Sequence, residues 1–124
     1  MNWNDYSNFN KEEFDCQETG ENEMKPEFMV KLQKLRDQYG KGMVISSGFR
    51  SKLHSIEINK VKSGSHTTGL ACDIAVSGSD AFQLVRLALE LGFKGVGIKQ
   101  KGNSRFIHLD IATTGFYRPS IWSY

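Results

Sequence analysis

The side chains best suited to chemistry in this sequence are histidines and aspartates in or near two apolar segments. Asp73 lies in the first segment, and His108 and Asp110 lie two residues apart in the second. His66 precedes Asp73 by seven residues, in a loop rich in Gly, Ser and Thr. Two imidazoles and one carboxylate form a normal ligand set for a catalytic zinc ion, with the fourth position left for water. The residue types therefore indicate a candidate metal site.

Both apolar segments have the alternation of a β-strand, in which successive side chains point to opposite faces of a sheet. One face of residues 70–76 is apolar, and the other carries Asp73 between two alanines. In residues 105–111, one face is mostly apolar and the other carries His108 and Asp110. A carboxylate on such an apolar strand needs a partner. If the two strands lie in one sheet, we expect these polar side chains to converge on the same face.

Helical and strand patterns alternate along the chain in a way typical of an α+β domain with a small, mostly antiparallel sheet flanked by helices. Asn10, with Glu13 three residues later, resembles a capping box. Pro26 is a favoured first helical residue, and Gly40 is a helix stop. We expect helices at 11–16, 26–39 and 79–91, and a short helix at 51–60. We expect strands at 43–46, 70–76, 95–99 and 105–111, with a turn at 101–103.

Composition limits the function classes. The chain has 124 residues, of which 39% are hydrophobic, and this is enough for one core, so we expect a single domain over residues 1–124. The net charge of +2 provides no basic field for nucleic acid. No apolar run approaches the roughly 20 residues that a membrane-spanning helix needs. We therefore expect a monomer with neither a nucleic-acid nor a membrane partner.

The N-terminal sequence and the cysteines suggest a cytoplasmic origin. The first residues lack the basic start and the apolar core of a secretory signal, so we expect synthesis in a cytoplasm. Cys16 and Cys72 form no C-x-x-C pair. We expect two reduced structural thiols, with a Cys16–Cys72 disulfide as the alternative.

Three segments of the chain resemble motifs of the zinc D-Ala-D-Ala peptidases. The stretch from His66 to Asp73 matches the H-x-x-G-x-A-x-D part of their first metal motif, and His108 with Asp110 matches the H-x-D form of the second. Residues 47–51, Ser-Gly-Phe-Arg-Ser, are similar to the S-G-[YF]-R-S segment that precedes both. The order of the motifs resembles the small, single-domain, phage-type members of that family, as do the closing residues Arg118, Trp122 and Tyr124.

This resemblance implies a small α+β fold shared with the hedgehog signalling domain, and one zinc ion bound by His66, Asp73 and His108. It also implies that Arg50 binds a substrate carboxylate or polarises the scissile carbonyl, and that Ser65 belongs to the substrate-binding loop. The implied substrates are peptide stems of bacterial peptidoglycan, cut by a carboxypeptidase or an endopeptidase of the L-Ala-D-Glu type. Such an enzyme would act on the cell wall after release, as in phage lysis.

One position departs from the pattern of many relatives, which carry a general-base Glu three residues before the second ligand His. Here that position is Arg105. We predict Asp110 as the base, because it shares a strand face with His108; the alternative is that Asp110 orients a ligand histidine. The missing Glu also keeps a second function class open, a zinc-containing binding or structural module of the same fold without catalysis.

Three further side chains keep two interpretations each. Trp122 and Tyr124 either form a wall of the cleft or close the core. His54 either lines the cleft or lies on the surface.

Overall fold

The computed structural model describes residues 1–124. Two α-helices and five β-strands form the framework, with three short 3-10 helices. The helices are α1 (Pro26–Tyr39) and α2 (Gly78–Glu90). The strands are β1 (Val44–Ser47), β2 (Ala71–Ala75), β3 (Gly95–Lys99), β4 (Phe106–Asp110) and β5 (Ser120–Ser123). The 3-10 helices are Trp3–Asp5, Lys11–Phe14 and Ser65–Thr68.

The strands form one sheet in the order β1-β2-β4-β3-β5. All neighbouring pairs are antiparallel except β3 and β5, which are parallel. This arrangement confirms the predicted α+β class and the mostly antiparallel sheet. The two functional strands, β2 and β4, are direct neighbours near the centre, so their polar side chains share a face as the alternation predicts.

The opposite face of the sheet forms the core with the two helices. Its buried side chains come from alternate positions of the three central strands, and they are Cys72, Ile74, Val96, Ile107 and Leu109. The helices contribute the apolar residues spaced at three and four positions, among them Phe28, Met29, Leu32, Leu35, Leu84 and Ala88. Burying this face fixes which side chains remain on the other face, because the strand period is two.

The helix signals of the sequence are confirmed at the predicted positions. Pro26 is the first residue of α1, and Gly40 closes the helix in the left-handed conformation with φ of 71°. Asn10 and Glu13 form the predicted capping box, although the helix that follows, Lys11–Phe14, is of the 3-10 type. Both cysteines are buried and unpaired.

Three parts of the chain differ from the sequence prediction. The helix predicted at 51–60 is wrong, because these residues form a succession of turns in which Leu53, Ile56 and Ile58 are exposed. A helix here would have no packing partner for its apolar side chains, and packing provides most of the stability of a short helix. The 3-10 helix Ser65–Thr68 and the edge strand β5 were not predicted.

Neither α-helix has the length and apolar character needed to cross a membrane.

Gly69 allows the chain to turn sharply before β2. It ends the 3-10 helix Ser65–Thr68 with φ of 75°, and a Cβ there would overlap the backbone carbonyl of Glu23. The Gly69 carbonyl in turn accepts a hydrogen bond from the Lys25 amide at 3.0 Å. Glycine is therefore required both by its backbone angle and by the close approach of the N-terminal segment.

We expect Gly69→Ala to destabilise the protein more than Gly102→Ala. Gly102 also has a positive φ, of 70°, but no atom lies within 4 Å of a Cβ built there. The control therefore measures the backbone penalty alone, about 1–2 kcal/mol, whereas Gly69→Ala adds a steric term of about 1–3 kcal/mol. Chemical denaturation of both variants measures the difference, and equal free energies of unfolding would contradict the close-approach argument.

Candidate metal centre

One row of residues crosses all five strands and organises the site. Ser47 of β1 pairs with Asp73 of β2, and Asp73 pairs with His108 of β4. His108 pairs with Gly97 of β3, and Gly97 pairs with Trp122 of β5. Residues paired across strands lie on the same face of a sheet. The functional face is thus aligned by strand register alone.

Two side chains of this face, Asp73 and His108, converge on one point with His66 of the 3-10 helix Ser65–Thr68. The Asp73 Oδ1 atom lies 3.2 Å from His66 Nε2 and 3.0 Å from His108 Nδ1. The two ring nitrogens are 3.2 Å apart. All three residues are largely buried. The structure therefore brings together the predicted ligand set of His66, Asp73 and His108.

The donor set fits a zinc ion in both chemistry and spacing. Nitrogen and oxygen ligands bind tetrahedral zinc at about 2.0–2.2 Å, so neighbouring ligand atoms should be about 3.3 Å apart. The three observed separations, 3.0 to 3.2 Å, are close to that value. Three ligands form one face of a tetrahedron and leave the fourth position for water or substrate. His66, Asp73 and His108 are thus the residues that could hold the metal.

Each histidine is fixed by a partner on the far side of its ring. His66 Nδ1 lies 2.9 Å from the Gly48 carbonyl oxygen, which can only accept, so Nδ1 carries a proton, and with a metal bound Nε2 would present its lone pair to the ligand position. A Cβ at Gly48 would come within 2.5 Å of the Phe14 backbone. The Ser-Gly-Phe-Arg segment therefore needs glycine to reach the position from which it orients His66.

Asp110 holds the second histidine in the same way. Its Oδ2 atom lies 2.6 Å from His108 Nε2, on the opposite side of the ring from the nitrogen that faces Asp73. The carboxylate is fully buried and also accepts two hydrogen bonds from Arg118. A general base must lie within hydrogen-bond reach of the attacking water. This position fits the orienting alternative better than the general-base role that we predicted for Asp110.

The electrostatics of the cluster keep the ligand carboxylate ionised. Burial alone would raise the pKa of Asp73, but hydrogen bonds from His108 and His66 outweigh it and hold the pKa well below its usual range. Burial would likewise lower the pKa of His108, and the Asp110 and Asp73 carboxylates raise it instead. Metal binding requires a deprotonated carboxylate, so Asp73 is in its ligand form at neutral pH.

Two cavities meet at the cluster. The larger, of about 640 Å³, extends toward Glu18, His54 and Lys99, and the smaller, of about 280 Å³, extends toward Lys60 and Trp122. Three residues line both cavities: Arg50, Asp73 and Phe106. A ligand carboxylate at the junction of two clefts is accessible to an extended chain from either side.

Arg50 lies at this junction, as the predicted substrate role requires. Its Nη1 atom donates to Glu57 Oε2 at 3.0 Å, and Nη2 lies 3.5 Å from Ser47 Oγ. The remaining guanidinium donors have no protein partner, so they can reach a bound carbonyl or carboxylate. The structure thus brings Arg50 to the cluster but leaves its role in catalysis a prediction.

Glu57 is a residue of the site that the sequence interpretation missed. Its side chain is fully buried and accepts hydrogen bonds from Arg50, from Lys60 and from the Gly64 amide. Burial raises the pKa of Glu57, but these three donors lower it to about 2. Glu57 therefore fixes Arg50 to the loop that leads into His66. A Glu between exposed Ile56 and Ile58 carries no sequence signal of burial.

The remaining predicted residues lie around the cluster. Ser65 lines the smaller cavity, with Oγ 3.4 Å from His108 Nε2. Trp122 and Tyr124 form a wall of that cavity, and the Trp122 ring lies 5.1 Å from the His108 ring, centroid to centroid. His54 lines the larger cavity and lies 3.2 Å from Glu18. The cleft interpretation therefore fits all of these side chains.

Comparison with known proteins identifies the family. The family model of peptidase M15 matches residues 5–110, which include all three candidate ligands. The chain belongs to the peptidase M15 family. A search among curated proteins found no match.

We expect the stabilising contribution of Glu57 to disappear in acid. Its pKa is about 2 in the folded protein and ordinarily 4.5, so its ionised form favours folding above pH 4.5, and that contribution is lost as the pH falls toward 2. The difference in unfolding free energy between wild type and Glu57→Gln, both with chelator, should be constant above about pH 5 and shrink below it.

The matched control is Glu90→Gln, which removes an exposed carboxylate bonded to Arg86. We expect it to change stability by less than about 1 kcal/mol at neutral pH. A Glu57→Gln difference that is the same at pH 7 and pH 2 would show that Glu57 is not held ionised by the loop.

Proposed function

We propose that the protein is a zinc-dependent peptidase that hydrolyses peptide bonds in the stem peptides of bacterial peptidoglycan. The observation that carries the proposal is the convergence of His66, Asp73 and His108 at the junction of two cavities. Membership of the peptidase M15 family supports peptide hydrolysis. The resemblance of the motifs to zinc D-Ala-D-Ala peptidases supports the metal and the cell-wall substrate.

Each residue of the site has a distinct role in the proposed reaction. A zinc ion bound there would supply a water-derived nucleophile at neutral pH and a Lewis acid for the scissile carbonyl. Arg50 would donate hydrogen bonds to the negative charge that develops on the carbonyl oxygen. Gly48 and Asp110 hold the two imidazoles in the tautomers that present a lone pair to the ligand position.

A second candidate function is supported by one observation. The carboxylates near the cluster are all engaged: Asp73 is a ligand candidate, Asp110 lies behind His108, and Glu57 is tied to Arg50. A free carboxylate base is therefore missing beside the open position. This favours, as the alternative, a metal-containing binding module that recognises a peptide without cleaving it.

We further propose that the protein acts as a monomer on the cell wall after its release from the cytoplasm, as a phage lysis enzyme would. The peptide stem is its only proposed partner, and neither nucleic acid nor a membrane is part of the proposal.

The deciding experiment is mass spectrometry of purified peptidoglycan fragments after incubation with the protein, with added zinc and with a chelator. We expect cleavage only with metal. Loss of one terminal alanine would identify a carboxypeptidase, and split stems or released cross-links would identify an endopeptidase. Intact fragments under both conditions, with zinc bound, would favour the binding module.

We expect His66→Ala and His108→Ala to lose both zinc and hydrolysis, because each removes one of three ligands. Zinc content per chain and fragment turnover measure the two effects. The matched control is His54→Ala, which lies outside the ligand cluster and should retain one zinc ion. Hydrolysis by a metal-free variant would contradict the proposal of a zinc-dependent peptidase.

Arg50→Gln should retain zinc while kcat/KM falls by about 100-fold, the scale of a lost oxyanion donor. Arg50→Lys keeps the charge but not the planar set of donors, so its loss should be smaller. Steady-state kinetics with the fragment identified above measures both variants. Turnover of Arg50→Gln at the wild-type rate would remove Arg50 from the mechanism.

A further inference from the structure

The segment after β4 lies beyond the residues that the family model matches, yet it completes the site. The match ends at residue 110, and Arg118 and Trp122 come later in the chain. Arg118 Nε donates to Asp110 Oδ1 at 2.9 Å, and Nη2 donates to Oδ2 at 2.8 Å. Its third nitrogen, Nη1, donates to the Tyr117 carbonyl at 2.8 Å. The guanidinium is thus fixed at each of its three nitrogens.

Two aromatic rings contact the arginine of this ion pair, and one glycine leaves room for its carboxylate. The Arg118 guanidinium carbon lies 4.9 Å from the Trp122 ring and 5.3 Å from the Phe116 ring, both within the range of a cation–π contact. A Cβ at Gly95 would overlap the Asp110 carboxylate, so β3 is open where the carboxylate lies. The Arg118 side chain is only 9% exposed, and that of Asp110 is 0% exposed. A buried bidentate pair of this kind has one geometry.

The fixed Asp110 carboxylate in turn orients His108, a candidate metal ligand. Asp110 Oδ2 accepts from Arg118 Nη2 and lies 2.6 Å from His108 Nε2. An ionised carboxylate has no proton to give, so His108 donates from Nε2 to Asp110, and with a metal bound the lone pair of Nδ1 would face the ligand position. If the carboxylate could rotate, neither the tautomer nor the ring orientation of His108 would be fixed.

We propose that Arg118 is a positioning residue of the metal centre, acting through Asp110 on His108. The inference rests on the metal site of the proposed function and not on peptide hydrolysis. The order along the chain of contacts is Arg118, Asp110, His108 and the ligand position. Residues 111–124 therefore contribute to metal affinity, although none of them is a ligand.

Simple electrostatics makes the opposite prediction, which gives the test a clear sign. Arg118 is a cation near a cation site, so removing its charge should strengthen metal binding by Coulomb's law. Loss of positioning should instead weaken it by about 10–100-fold, the range for partners of metal-binding histidines. The direction of the change therefore separates the two explanations.

The experiment measures the zinc dissociation constant by competition with a chelating indicator for wild type, Arg118→Gln and Arg118→Lys. We expect about a 10–100-fold loss for the Gln variant and a smaller loss for the Lys variant, which keeps the charge without the two-nitrogen fork. Co²⁺-loaded samples should show altered d–d absorption bands in the variants. Arg86→Gln, which breaks an exposed pair with Glu90, is the matched control and should bind zinc as wild type does.

A double-mutant cycle tests whether Arg118 acts through Asp110. In an Asp110→Asn background, Arg118→Gln should change the zinc dissociation constant by less than about threefold, because the intermediary is already lost. An additive effect would overturn the relay. Unfolding with chelator checks that each variant is folded. If Arg118→Gln does not fold, the zinc affinity of Arg118→Lys relative to wild type tests the inference.

The outcomes distinguish this inference from the proposed function. A wild-type chain that binds no zinc overturns the metal centre and this inference together. Wild-type binding with unchanged or tighter binding by both Arg118 variants overturns the inference alone. Intact peptidoglycan in the cleavage assay would contradict the proposed hydrolysis but not the role of Arg118, since zinc affinity is measured without substrate.

Discussion

The pairing of Asp73 with His108 across β2 and β4 is the contact on which the site depends. Both residues occur at one register position, and a shift of β4 by a single residue would turn His108 into the core and Ile107 toward the cleft. The buried apolar face opposes that shift, because Ile107 and Leu109 would have to exchange places with His108 and Asp110. The core therefore fixes the relative positions of Asp73 and His108, although neither residue belongs to it.

The same register explains why β3 is rich in glycine. Gly95 pairs with Asp110 and Gly97 pairs with His108, so the two glycines lie beside the two polar groups. A Cβ at Gly97 would come within 2.6 Å of the Trp122 indole nitrogen. The missing side chains leave space on the sheet for the Asp110 carboxylate and the Trp122 indole, both of which contact His108.

The sequence predicted the shared face of Asp73 and His108 and most of the elements because those depend on local patterns. Alternation placed Asp73 and His108 on one face, and proline and glycine marked the ends of α1. The pairing of Asp110 with Arg118 and the burial of Glu57 were not predicted, since both depend on loop geometry. The edge strand β5 was missed because its partner strand is distant in the sequence. It is a four-residue strand whose pairing with β3 is parallel and brings together residues about 25 positions apart in the chain.

The turns between Arg50 and Ser65 are fastened to the rest of the protein by carboxylates from within and outside the segment. Glu18 bonds Ser55 from outside, and Glu57 bonds Arg50 and Gly64 from inside. The exposed Leu53, Ile58 and Val61 add no packing that would hold the segment closed. Local opening of this segment can therefore occur without unfolding the sheet. Because Glu57 is bonded to Arg50, such an opening also breaks the Arg50–Glu57 ion pair, so loop motion and release of the Arg50 guanidinium are coupled.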